Sequence, residues 1–269
     1  MKRAQAFAKL NLSLVVGPLR NDRKHEVMTV LQRIDLADDI ELEPVGALSV
    51  EGFEDDTLVR EALAALAAAA DAPPCWRARI EKRIPVAAGL GGGSSDAASA
   101  LLLANADLPE PLAPEALHAI AVHLGADVPF FLREGAQLGT GDGTELARLE
   151  LPMDYHVVLL VSDSESKEST GTVYSRFDER SGAAGFAERR VALLEALAGV
   201  ESSRDLARLP KNDLVSSPLA EQVEGLGAFR ADVSGAGPTV YGLFERSEDA
   251  EHAATSLHPA GRTLLARPV

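Results

Sequence analysis

The sequence predicts an α+β protein of two domains, and three features carry that expectation. A strand ending in proline (Arg77–Pro85) runs into the closely spaced glycines Gly89, Gly91, Gly92 and Gly93 and then into an alanine-rich apolar stretch. After Pro152 the elements follow the order β-α-α-β-β-α-β, which suggests a ferredoxin-like α+β domain. With 269 residues and 46% hydrophobic content, the chain can bury a sizeable core, in one large domain or two modest ones. Pro152 is the expected boundary, which places the domains at residues 1–152 and 153–269.

The formal net charge of −15 and a pI near 4.8 argue against a nucleic-acid or anionic-membrane partner, since both want a basic face. An anionic small-molecule substrate would then need locally concentrated positive charge. The single cysteine, Cys75, forms no intrachain disulfide and supplies no metal cluster, which fits a reducing, cytoplasmic setting. No apolar run approaches the length of a membrane span. The N-terminal MKRAQAFAKLNLSLVVG places a Lys-Arg pair before apolar residues, but Lys9 and Asn11 interrupt it and no small-x-small cleavage site follows. It reads as the first strand. A monomer or weak homodimer is expected.

From Ala4 to Val16 the residues alternate. Ala6, Ala8, Leu10, Leu12, Leu14 and Val16 share one face, and Phe7, Lys9, Asn11, Ser13 and Val15 the other. Lys9 and Asn11 therefore project from the same side of a strand. Such a lysine is either an edge-strand solubility device or a buried functional charge. Gly17-Pro18 and Asn21-Asp22 mark a loop. His25–Ile34 then reads as a strand, with a short helix as the alternative, and His25 by itself as an exposed residue at its start. Ile40–Glu43 and Leu48–Glu51 suggest a hairpin around Val45-Gly46. Asp55 and Asp56 open a helix through Ala70, which ends before Pro73-Pro74. Arg77–Ile84 is the strand that delivers the glycine loop.

Glycines free the backbone for φ > 0 and let amides approach a ligand that any Cβ would push away. Ser94, Ser95 and Asp96 are good N-cap residues, so a helix is expected from them through Ala97–Ala104. A loop of this kind feeding a helix N-terminus is an anion site, worth about 0.3–2 kcal/mol from the dipole alone. The plain alternative is a flexible loop before a capped helix. The segment contains no GxxxxGK[ST], it reads GLGGGS and so fails GxGxxG, and neither His-Arg-Asp nor Asp-Phe-Gly occurs in the chain.

Pro114 opens a further helix, with Gly125 as its C-cap. Next comes GADVPFFL, Gly125 to Leu132. Asp127 sits there between a helix end and an apolar run, where a carboxylate is costly without partners. Its structural alternative is a cap of the turn before Pro129. His118 and His123 read as surface or core residues. Gly135–Leu149 reads as strand, glycine turn and strand. In the second half, His156–Val161 is a buried strand, followed by a polar loop, Ser162–Ser169. Helices are expected at Thr170–Phe177 and Phe186–Ala198, the latter amphipathic, and another is opened by Asn212-Asp213-Leu214. Strands Ala231–Ser234 and Thr239–Phe244 flank the turn Gly235-Ala236-Gly237-Pro238, which alone is only a hairpin signal. Helix Glu248–Ser256 and strand Thr263–Ala266 close the chain.

The stretch PVAAGLGGGSSDAA (residues 85–98) resembles the second motif, P-x-x-x-G-L-G-x-S-S, of the GHMP kinases, a family named for galactose, homoserine, mevalonate and phosphomevalonate. The segments AKLNL (8–12), LGADVPFF (124–131) and SGAGPTVYGLF (234–244) resemble further motifs of that family, in a branch whose acceptor alcohol carries a cytidine diphosphate. The resemblance implies a two-domain GHMP kinase fold, with an N-terminal domain of the ribosomal protein S5 domain 2-like type and a ferredoxin-like C-terminal domain. It implies ATP-dependent phosphorylation of a small-molecule hydroxyl. Asp127 would accept the hydroxyl proton, and Lys9 would stabilise the ionised Asp127 and the developing charge. Pro85, Val86, Ala87, Ala88, Gly89, Leu90, Gly91, Gly92, Gly93, Ser94 and Ser95 would hold the nucleotide, with Ser95 also a contact for Mg²⁺. Asn11, His25, Tyr174, Gly235 and Gly237 would meet the acceptor.

Two departures stand out. The family's Gly-aromatic-His is Arg23-Lys24-His25 here, and Thr144 replaces a family glycine before Glu145. Lys24 cannot stack on a cytosine ring, so Tyr174 is the residue expected to offer a face, unless it packs in the second domain's core. Three other readings remain: a GHMP kinase for homoserine, mevalonate or a sugar, an ATP-dependent diphosphomevalonate decarboxylase on the same scaffold, and a non-catalytic nucleotide-binding regulator.

Overall fold

The computed structural model describes residues 1–53, 57–162 and 169–269. The helix start expected at Asp55 and Asp56, and the interior of the polar loop after Ser162, lie outside the described residues. In chain order the first elements are β1 (Lys2–Leu19), β2 (His25–Pro44), β3 (Ser49–Glu51), α1 (Leu58–Ala69) and β4 (Trp76–Glu81). Then come α2 (Gly92–Asn105), α3 (Pro114–Leu124), α4 (Val128–Phe131), β5 (Ala136–Thr140), β6 (Glu145–Leu149) and β7 (His156–Ser162). The chain closes with α5 (Thr170–Glu179), α6 (Phe186–Ala198), α7 (Pro218–Gly225), β8 (Arg230–Val233), β9 (Val240–Phe244), α8 (Ser247–Leu257) and β10 (Gly261–Ala266).

These elements form two compact units, each assembled from separated pieces of chain, because β1 and β2 run through both. The first unit holds Met1–Ala8, Leu36–Val86 and Gly91–Glu134. In it the C-terminal part of β2 pairs antiparallel with β4, Asp39 opposite Glu81 and Pro44 opposite Trp76. On the other side of β4 lies β3, parallel to it. The hairpin expected around Val45-Gly46 therefore does not form: β4 already occupies the edge of β2 that β3 would need. Val59, Ala62, Leu63, Leu66 and Ala67 make the buried stripe of α1, which packs on α2. Helix α2 is buried on most of its circumference through Ala97, Ala98, Ala100, Leu101 and Ala104. Alanines let neighbouring backbone come close, and a fully buried leucine such as Leu101 contributes about 1.5–3 kcal/mol.

The second unit holds Lys9–Asp35, Ala87–Leu90 and Gly135–Val269. Thr29–Leu31 of β2 pairs antiparallel with β5, which forms a hairpin with β6. A separate sheet has the order β10-β7-β9-β8, with every neighbouring pair antiparallel. That order and the helices between its strands are the ferredoxin-like arrangement expected. Val158, Leu160, Val233, Val240 and Phe244 of this sheet pack with Ala250, Ala253 and Leu257 of α8.

The helix expected to open at Asn212-Asp213-Leu214 begins instead at Pro218, where the Ser217 hydroxyl accepts from the Leu219 N–H. Asn212 and Asp213 are drawn elsewhere. Asn212 donates through Nδ2 to the carbonyls of Val233 and Gly235, and the Asp213 carboxylate accepts from the Val16 N–H and from Arg189. Along α6 only Leu193 is fully buried, while Val191 and Leu194 on the same helix are exposed.

Candidate active site

β1 is buried without interruption from Ala8 to Gly17, so both of its faces are covered there. Lys9 is 3% exposed, which rules out a solubility role at an open edge. Its Nζ donates to Asn11 Oδ1 at 2.5 Å, and its backbone N–H donates to the carbonyl of Leu90 at 2.9 Å. The second bond ties the strand to the glycine loop. Gly235, with φ 59, comes in over this pair: a Cβ there would stand 3.3 Å from Lys9 Nζ and 3.4 Å from Asn11 Oδ1. A left-handed backbone and that narrow gap both call for glycine. Gly237, with φ 77, lies in the same turn, and its N–H donates to the Ser234 carbonyl.

Between β4 and α2, Pro85 to Ser95 form an irregular loop and a helix start. Ala87 holds φ 63, a conformation that costs an L-residue about 1–2 kcal/mol. The backbone at Gly89 runs so close to Ser234 that a Cβ would collide with the Ser234 carbonyl oxygen. The Ser234 hydroxyl donates to the Gly89 carbonyl at 3.0 Å, and the Thr239 N–H donates to that of Ala88. Gly91, left-handed at φ 71, is the N-cap of α2 with no side-chain cap. Ser94, Ser95 and Asp96 thus do not cap the helix as expected; they already lie inside its first turns. The Ser95 N–H donates to the Gly91 carbonyl. The amides of Gly92, Gly93 and Ser94 precede that first helical bond, so they are the ones directed out of the helix end, and Ser95 is not among them.

Asp96 is fully buried and its Oδ2 accepts from Lys82 Nζ at 2.6 Å. Lys82 also donates to Asp38 Oδ2 at 2.6 Å, and Asp38 Oδ1 accepts from the backbone N–H groups of Arg83 and Ile84. The lysine lies 5.7 Å from the centre of the Phe53 ring. Burial works against its charge, but Asp96 and Asp38 outweigh burial and hold the ammonium above its ordinary pKa. Two carboxylates and one cation thereby lock the start of α2 to the strand that leads into the loop.

His25 is buried. Its Nδ1 donates to the Gly17 carbonyl at 2.8 Å, its Nε2 stands 3.4 Å from Asp178 Oδ2, and its ring stacks on Tyr174. Tyr174 is half-buried and packs beside Val173 and Phe177. Lys24 points to Asp142 at 2.5 Å. Partial burial raises the Asp142 pKa, but hydrogen bonds from Lys24 and Thr144 prevail and hold it below the usual carboxylate range. Asp127 occupies the N-cap position of α4 and makes no side-chain capping bond to it. It belongs to the first unit, Lys9 to the second.

A model of the GHMP kinases N terminal domain matches residues 57–135, and a model of the GHMP kinases C terminal domain matches residues 183–261. The 4-diphosphocytidyl-2-C-methyl-D-erythritol kinase of Salinispora arenicola is 38% identical over 95% of this chain and 87% of its own length. The enzyme of the same name from Corynebacterium efficiens is 35% identical over 98% of the chain and 92% of its own. This chain belongs to the GHMP kinases. It falls in their 4-diphosphocytidyl-2-C-methyl-D-erythritol kinase branch, and it has the two-domain GHMP kinase fold. A crystal structure of 4-(cytidine 5'-diphospho)-2C-methyl-D-erythritol kinase superposes with a TM-score of 0.79, at 33% identity and 99% coverage of both chains.

As a GHMP kinase the chain shows which expected residues gather. Lys9, Asn11 and Gly235 meet in the second unit, and His25 and Tyr174 stack on each other in the same unit. Several residues of this region went unread in the sequence. Lys82, Asp38 and Asp96 are far apart in the chain, and in the sequence Asp96 reads only as a helix cap. Ser234 and Thr29 are common strand residues with no signal of their own. Among the described residues, no three His, Cys, Asp or Glu side chains cluster as a metal site, and no helix is long and apolar enough to cross a membrane.

Proposed function

We propose that this GHMP kinase transfers the γ-phosphoryl group of ATP to the 2-hydroxyl of 4-diphosphocytidyl-2-C-methyl-D-erythritol, releasing ADP, in the non-mevalonate route to isoprenoid precursors. The observation that carries this reading is near-full-length identity of 34–38% to several kinases of that name. A buried lysine held against an asparagine and covered by a glycine turn is consistent with it.

In this reading Lys9 and Asp127 are the catalytic residues. Asp127 takes the acceptor's hydroxyl proton, and Lys9 offsets the negative charge that develops as the phosphoryl group moves. Residues Pro85–Ser95 carry the nucleotide, and the Gly92, Gly93 and Ser94 amides face its phosphates at the positive end of α2. No Cβ or side chain crowds the space at Gly93, which leaves room for such an approach. Mg²⁺, when bound, would offset negative charge on the phosphates. Ser95 is the residue of this chain that would hold it. Asn11, Gly235 and Gly237 line the acceptor side, and His25 and Tyr174 take the cytosine.

The division into domains 1–152 and 153–269 belongs to the same proposal, supported by family matches on either side of Pro152. So do a cytoplasmic location and a monomer or weak homodimer. The test is ADP release from ATP against a panel of acceptor alcohols that includes the diphosphocytidyl substrate, homoserine and mevalonate. Turnover confined to the diphosphocytidyl alcohol is the expected result, and preference for any other acceptor overturns the assignment.

A further inference from the structure

We propose that Thr29 is a positioning residue for Lys9, acting through the side-chain amide of Asn11. The inference rests on the reading of Lys9 as the catalytic cation. It adds a residue on the neighbouring strand that touches neither nucleotide nor acceptor in that reading.

Lys9 Nζ donates to Asn11 Oδ1 at 2.5 Å, Asn11 Nδ2 donates to Thr29 Oγ1 at 2.8 Å, and Thr29 Oγ1 donates to the Ser13 carbonyl at 2.8 Å. All of these side chains are buried. The two ends of a carboxamide have nearly the same shape and opposite hydrogen-bonding character; the ammonium, which only donates, takes the oxygen end, and a contact that holds the nitrogen end fixes the amide in place. Thr29 is that contact. A hydroxyl has a single proton, and a backbone carbonyl can only accept, so the Thr29 proton is committed to Ser13. Toward Asn11 the hydroxyl can then only accept, which selects Nδ2 for that side and leaves Oδ1 for Lys9. The reverse orientation would set Nδ2 against the ammonium and two acceptors against each other. Gly235, closing over Lys9 Nζ and Asn11 Oδ1, leaves little space for either group to move aside.

Replacing Thr29 by valine keeps the branched shape, including the methyl that lies in the space opened by Gly139 across the strand pair. It removes only the hydroxyl. Asn11 Nδ2 then lacks its acceptor, the amide is no longer held at that end, and Lys9 loses a fixed partner. Thr29→Val should lower kcat about tenfold or more while KM for ATP stays within about a factor of two, since a mispositioned cation weakens the transition state more than the ground state. Thr29→Ser, which restores the hydroxyl, should recover most of the lost kcat. In an Asn11→Ala background Thr29→Val should change kcat by no more than about twofold, because a residue that works through Asn11 has nothing left to act on.

Parent-like kcat in Thr29→Val overturns the proposal, and so does a full additional loss in the Asn11→Ala background. Either would reduce Thr29 to a strand packing residue. If Thr29→Val does not fold, Thr29→Ala, which cannot overpack, takes its place in the same comparison. Lys9→Met is measured alongside. An active Lys9→Met overturns the catalytic reading itself, whereas an inactive Lys9→Met with an unimpaired Thr29→Val overturns only the role given to Thr29.

Discussion

His25 lies against Tyr174 with ring centroids 4.9 Å apart and planes inclined by 27°, and its two ring nitrogens face the Gly17 carbonyl and the Asp178 carboxylate. The sequence assigns both residues to the acceptor, Tyr174 by its face, and the fold stacks their rings on each other. Nδ1 is committed to the backbone, and what His25 can offer a ligand is confined to Nε2, beside Asp178. The half-buried Tyr174 ring has one face against His25, so any base it stacks must use the other.

If that second face receives the cytosine, Tyr174→Ala should raise KM for the diphosphocytidyl substrate about 5- to 150-fold, the equivalent of roughly 1–3 kcal/mol of stacking. Lys24→Tyr should lower the same KM by adding an aromatic face. It breaks an ion pair to Asp142 that is half exposed on the lysine side, so stability should fall by no more than about 1 kcal/mol. Steady-state kinetics with and without the cytidine group on the acceptor check both variants. An unchanged KM in Tyr174→Ala would return that tyrosine to packing beside Val173 and Phe177.

The Lys82 bridge has a pH signature. Its folded-state pKa is raised above the ordinary 10.5, so its contribution to stability is complete below the unfolded value and is lost as pH rises through the folded one. Chemical denaturation of the parent and Lys82→Met should show Lys82→Met destabilised at neutral pH. That gap should hold to about pH 10 and narrow above it, as the unfolded lysine titrates in the ordinary lysine range. A gap that narrowed instead on acidification between pH 8 and pH 6 would mean that another group controls the bridge.

Much of this was legible in the chain, for definable reasons. Strand and helix positions followed from periodicity, and the ferredoxin-like order of the second half followed from the sequence of elements. Lys9 and Asn11 share a face because strand side chains alternate, and the structure keeps them 2.5 Å apart. What failed were inferences needing a third element. The hairpin at Val45-Gly46 was excluded by β4, which is distant in sequence from both strands. The start of α2 was misread because Gly91 caps it by conformation, while Ser94, Ser95 and Asp96 lie inside the helix. Asp96 answers Lys82 and Asp38 across a gap no local pattern spans. The order Thr29–Asn11–Lys9 is set by hydrogen-bond direction, which composition does not encode.

Asp127 can be tested without a capping confound, because its side chain makes no capping bond to α4. Asp127→Asn should lower kcat by about 10²–10⁴, the usual span for a positioned general base, with ATP affinity and melting temperature close to the parent. Near-normal turnover in a folded Asp127→Asn would remove it from the reaction.

The glycine loop offers a comparison between two of its own positions. At Gly89 a methyl group would strike the Ser234 carbonyl oxygen and would also have to adopt φ 78. Gly89→Ala should therefore destabilise the protein outright, by about 1–2 kcal/mol for the left-handed backbone and more for the collision, with or without nucleotide. At Gly93 the same methyl meets nothing within 4 Å and the backbone is helical, where alanine is favoured over glycine by about 1 kcal/mol. Gly93→Ala should leave the melting temperature unchanged or raised. If the Gly92, Gly93 and Ser94 amides face the phosphates of ATP, that new methyl stands where phosphate must approach, and ATP affinity should fall in a protein that is otherwise sound. Calorimetric titration with ATP, read beside thermal unfolding of the nucleotide-free protein, separates the two effects. A Gly93→Ala protein that binds ATP as the parent does would place the phosphates away from the start of α2.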